Sequence, residues 1–137
     1  MKRVGMGVAA VLAMVTLTAV PGVRAQGGDA QSDATKPEFF TTRVEPIFQQ
    51  NCNKCHAGLF HRGGLNMGTR EGMLTGGHHG PAVVPGDPAK SLLLLLVKHE
   101  GPEDPGPMPP KKAKLSDADI ATIEQWIKAG AIMPESK

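Results

Sequence analysis

The chain of 137 residues has no tyrosine, one tryptophan, four phenylalanines and only two cysteines. So few large aromatic side chains, beside 17 glycines and 12 prolines, leave it short of core material for its length. Something other than side chains is expected to fill the middle. After residue 25 no apolar run is long enough to span a membrane, and no cysteine directly follows Ala25, which excludes a bacterial lipid anchor there. An excess of one charge is missing too. Lys2, Arg3 and Arg24 lie near the start; without them 12 basic residues face 13 acidic ones, a net −1. A near-neutral domain is no nucleic-acid binder by bulk charge.

What the start does have is a short positive patch, Met1-Lys2-Arg3, then the apolar stretch "VGMGVAAVLAMVTLTAV" and the small-residue site Val23-Arg24-Ala25. This is the layout of a secretory signal peptide over residues 1–25, cleaved after Ala25. Retention as an anchor is the rival reading, but the stretch falls short of the ~20 residues of a spanning helix and carries two Gly and two Thr. Cleavage leaves residues 26–137, enough for one small domain in a periplasmic or otherwise exported location.

Both thiols, Cys52 and Cys55, lie in "NCNKCHAGLF". Export would favour a disulfide, but a bridge across so short a loop constrains the unfolded chain little. A thioredoxin-like site sits between a strand and a helix, and the residues upstream here read as helical. Structural zinc wants four ligands; Cys52, Cys55 and His56 supply three, and adjacent Cys55 and His56 do not easily reach one tetrahedral ion. Cys-x-x-Cys-His is the attachment signal for c-type haem. The thiols add to the two porphyrin vinyl groups, and the next residue offers an imidazole to the iron. That imidazole's second ring nitrogen is expected to donate to a backbone carbonyl.

The sixth iron position has several candidates: Met67, Met73, Met108, Met133, His61, His78, His79 and His99. Met108 sits in "GPMPP", where prolines on both sides restrict the loop, so docking its thioether costs little freedom. Met73 and Met133 read as core filler. His78 and His79, in "TGGHHGP", stay open as rivals, and the choice matters because a thioether raises the reduction potential relative to stronger donors.

Residues 26–36, small and polar, read as a disordered lead-in, and residues 134–137 as a tail. Pro37 suits the start of a helix carrying Phe40, Val44, Ile47 and Phe48, with a kink expected at Pro46. A short helix is expected at residues 69–75. Asp87-Pro88 is expected to cap a helix on "SLLLLLVKH", which has no polar face and should be buried. The last helix starts at Ser116, with Asp119 completing a capping box, and shows an Ile120, Ile123, Ile127 stripe beside Trp126. Gly130 gives its left-handed stop.

The segments "VEPIFQQNCNKCH", "RGGLNMGTREGMLTGG", "GPAVVPGDPAKSLLLLLV", "MPP" and "LSDADIATIEQWIKAGA" together resemble the planctomycete-type cytochrome c domain, a relative of the class I cytochrome c fold. The likeness covers nearly all of residues 39–131 and departs from the family at His78-His79. It implies an all-α cytochrome c domain at residues 37–133, three to five helices with long Gly/Pro-rich loops. It also implies one covalent haem c on Cys52 and Cys55, with His56 as proximal and Met108 as distal ligand. The expected function is an electron carrier or oxidoreductase subunit, not an enzyme, working with redox partner proteins and without stable membrane insertion. A haem protein with a labile distal ligand, acting on peroxide or sensing a gas, is the alternative. Lys111, Lys112 and Lys114, in "KKAK", are a candidate docking patch.

Overall fold

Asp33 and Pro37 together set the start of the first helix. In the computed structural model, which describes residues 33–135, the Asp33 carboxylate accepts from the Thr35 N–H at 3.0 Å and the Thr35 hydroxyl at 2.6 Å. The signal segment expected at residues 1–25 lies outside the described residues. The end of the expected lead-in, Asp33–Lys36, forms this turn, and Ala34 within it is buried against the core. Pro37 then takes the first helical position, where its missing N–H leaves no bond unmade.

Helix α1 (Pro37–Phe39) continues through a π-helical turn, Phe40–Val44, into α2 (Glu45–Asn51). The kink expected at Pro46 takes this form. Proline offers no N–H and crowds the carbonyl one turn back, and the ladder widens just upstream of it, the Glu45 N–H reaching the Phe40 carbonyl. The Thr41 and Thr42 hydroxyls both donate to the Glu38 carbonyl. After a break at Cys52, α3 (Asn53–His56) adds a single turn.

Helix α4 (Arg70–Thr75) begins where the sequence places it, with the Thr69 hydroxyl accepting from the Gly72 N–H at 3.0 Å. The cap expected at Asp87 falls differently. Asp87 caps a 3₁₀ turn, Pro88–Lys90, through a 3.2 Å bond from the Lys90 N–H, and Ser91 stands before α5 (Leu92–Lys98). Ser91 is fully buried; its hydroxyl donates to the Asp87 carbonyl at 2.9 Å and accepts from the Val84 N–H at 3.0 Å. It thus ties two loops together instead of capping the helix. Helix α6 (Asp117–Lys128) starts at Ser116, whose hydroxyl accepts from the Asp119 N–H, and ends before Gly130 at φ 105°. Among the described residues there is no strand, only an isolated bridge between Gly77 and Gly80. The all-α, cytochrome c-like class is as expected.

The core joins α6 to the first helices through three aromatic rings. Trp126 lies 5.5 Å from Phe40 and 5.8 Å from Phe48, the latter pair edge-on at 80°. Its indole N–H donates to the Ile132 carbonyl at 2.8 Å, so the ring is buried with its polar atom satisfied. Arg70 reaches across the chain to donate to the Ala131 and Gly130 carbonyls at 2.8 and 3.1 Å, fixing the end of α6. Met73 is core filler as expected, and Met133 packs against the core. Trp126→Ala should therefore cost roughly 3–5 kcal/mol, measured by denaturant unfolding of the matured protein; a loss below about 1 kcal/mol would remove the aromatic cluster from its central role.

Candidate functional site

One helical turn aligns the three residues of the motif. The Cys55 and His56 N–H groups both bond to the Cys52 carbonyl, at 3.0 and 3.1 Å, and Cys52 itself bonds back to Phe48 on α2. Residues three and four apart on a helix share a face, so both thiols and the imidazole are presented to the same side. The thiols are half-buried and not bridged. Burial pushes the Cys52 thiol up to about 11, with Cys55 adding to the effect.

Burial also lowers the pKa of His56; the Arg62 backbone opposes this and the Arg62 guanidinium adds to it. The neutral ring that results is the form that can give a lone pair to a metal. The carbonyl partner expected for its second nitrogen is missing: Nδ1 is buried with no hydrogen-bond partner, and the Arg62 backbone does not complete one. The Asn53 Oδ1 is likewise buried and unpartnered. Two orphaned polar atoms flanking the thiols mark a built site, since buried polar atoms are normally paired.

Cys52, Cys55 and His56 form one wall of a cavity of about 320 Å³. That lies at the lower end of the roughly 300–1,000 Å³ of ligand pockets. Leu93, Leu96 and Val97 of α5 and Leu115 line it with apolar surface. Met108 lines it too, and its backbone N–H donates to the Leu96 carbonyl at 3.1 Å, hanging the proline loop from α5.

The candidates for the sixth position now divide. Met108, Met67, His78 and His79 all border the cavity, while Met73, Met133, His61 and His99 do not. Arg62, which no sequence pattern singled out, also borders it, because the loop after the motif folds back beneath His56. The zinc reading lacks its ligands: among the described residues no three His, Cys, Asp or Glu side chains are grouped to hold an ion. Unbridged thiols on one face, a neutral imidazole and an apolar cavity beside them fit a covalently held porphyrin.

Residues 52–112 match the family model described as Planctomycete cytochrome C. Over these residues the match supports a planctomycete-type cytochrome c domain. The family is one of haem-containing electron-transfer domains and implies covalent haem c. No curated protein and no solved structure matches the chain significantly. The match begins at the first cysteine and ends just past the methionine loop, so the first helices and α6 lie outside it. No helix among the described residues is long and apolar enough to cross a membrane. Replacing Cys52 and Cys55 by alanine together should release the pigment from the polypeptide on extraction with acidified solvent, while each single change leaves one linkage; colour retained by the double variant would refute the attachment.

Proposed function

We propose that the chain is an exported c-type cytochrome with one haem c on Cys52 and Cys55, axial ligands His56 and Met108, and a role as diffusible carrier or oxidoreductase subunit. The observation that carries this reading is that Met108 and His56 border the same apolar cavity. Export is supported by the charged, apolar and small-residue order of residues 1–25. When bound, haem c supplies a reversible one-electron couple.

The chain's own residues would govern that couple. His56, kept neutral by burial, offers a nitrogen donor. Pro107, Pro109 and Pro110, with the bond from the Met108 N–H to Leu96, restrict the loop so that the thioether stays near one position. Leu93, Leu96, Val97 and Leu115 keep water off and disfavour the more charged oxidised centre, which raises the potential. Met108→Ala should abolish the weak far-red absorption of a methionine–iron bond; its persistence would exclude Met108.

A distal methionine that dissociates, leaving the iron free for peroxide or a gas, is the second reading; His78 and His79, which border the same cavity, are rivals of Met108 for the sixth position. Carbon monoxide added to the reduced protein separates the two: an unchanged spectrum supports the carrier, and a carbonyl spectrum supports the sensor or peroxidase.

For partner docking, Lys111 and Lys112 are exposed, whereas Lys114 is paired with Asp117. Leu59 and Phe60, 95% and 66% exposed, stand beside the attachment motif and add an apolar contact. Reversing the charge of Lys111 and Lys112 should slow electron exchange with an acidic partner several-fold at low salt and little at high salt; an equal rate at low salt would remove the patch from docking.

A further inference from the structure

We propose that the Arg62 guanidinium, with the His78 ring beside it as a hydrogen-bond donor, forms a notch at the cavity rim that takes the carboxylate arms of the haem. The inference rests on the haem c reading above and adds a role for residues outside the attachment motif. Porphyrin of this type carries two propionate groups, and an anion next to an apolar wall is costly unless it is paired. The notch supplies what that pairing needs.

The charge pattern of the wall comes first. Among the residues bordering the cavity, Arg62 is the one permanent cation, three are histidines, and none is an aspartate or glutamate. Arg62 and His78 have no carboxylate partner among the described residues. His79 differs from its neighbour: its Nε2 stands 3.6 Å from an Asp104 carboxylate oxygen, which ties it to the loop before Met108.

The second observation is how Arg62 and His78 come together. The His78 N–H donates to the Gly63 carbonyl at 2.8 Å. A Cβ on Gly77 would lie 2.2 Å from that same carbonyl, and one on Gly64 would lie 3.0 Å from the His78 ring. Only glycines allow the two loops to touch at this point. The contact places the residue before Gly63 and the residue after Gly77 on one rim, facing the same cavity. A guanidinium is suited to this task, since its planar fork pairs with a carboxylate through two parallel hydrogen bonds. His78 thereby gains a role other than iron ligation.

The test uses the matured full-length protein, with haem content set by pyridine haemochrome and the midpoint potential measured by spectroelectrochemical titration. Arg62→Gln should lower the potential, shifting the oxidised-to-reduced ratio several-fold toward the oxidised form at a fixed poise, because an anion near the iron loses its counter-charge. Arg62→Lys should recover most of the shift. His78→Gln should give a smaller shift of the same sign with the visible spectrum unchanged. Lys54→Gln, an exposed cation near the motif but off the cavity wall, measures the general effect of removing a charge. Should Arg62→Gln move the potential no further than Lys54→Gln, the notch is refuted. A His78→Gln spectrum that turns high-spin would instead make His78 an iron ligand. A wild-type protein without haem would overturn the underlying reading, which the haemochrome reports before any variant is compared.

Discussion

The single helical turn from Cys52 to His56 is the constraint on which the rest of the molecule depends. Its two bonds to the Cys52 carbonyl hold both thiols and the imidazole on one face, and a shift of even one residue would turn one of them away. The turn cannot hold itself, since five residues lie far below the length at which an isolated helix persists in water. Its rigidity is borrowed. The Cys52 N–H bonds to Phe48, and the Phe48 ring packs edge-on against Trp126 of α6. The aromatic cluster and the site are thus one mechanical unit, although the family match includes only the site.

Magnitudes show why such a domain suits a covalent cofactor. At about 24 cal/mol per Å³, filling a 320 Å³ apolar cavity corresponds to about 8 kcal/mol, less where it opens to solvent. Net stabilities of whole domains are roughly 5–15 kcal/mol. A group filling the cavity would therefore contribute on the scale of folding itself, in line with a sequence poor in aromatic residues. Covalent attachment, which the family implies, would make that contribution independent of free cofactor concentration.

What could be read from the sequence was local. Ser116 and Asp119, Pro37 and Gly130 act within a few residues, and each sits where its spacing suggested. The attachment motif is similarly local. Ser91 is the instructive miss: Asp87-Pro88 carries a good capping signal, but a 3₁₀ turn uses it, and the buried serine bonds to Val84, seven residues away. Arg70 bonding across sixty residues to the end of α6 has no local signature at all. That Met67 both packs in the core and borders the cavity, whereas Met73 only packs, depends on how the loop between α3 and α4 folds back, pinned by the Met67 N–H on the His56 carbonyl at 2.6 Å.

The run "SLLLLLV" shows how the two halves of the site are joined. A helix without a polar face needs apolar neighbours on most sides, and α5 has them except at Leu95, which stays half-buried. Leu94 packs in the core, Leu92 and Leu96 border the cavity, and Leu93 and Val97 do both. The same helix offers backbone carbonyls outward: Leu96 accepts from Met108, and Val97 accepts from Leu115. One wall of the cavity is therefore fixed through side chains by α6 and the first helices, and the other hangs by its backbone from α5. Because α5 also packs on α6, a small displacement of α5 would carry Met108 with it relative to His56. The separation of the two candidate iron ligands is set by helix packing in the core and not by the flexibility of the methionine loop.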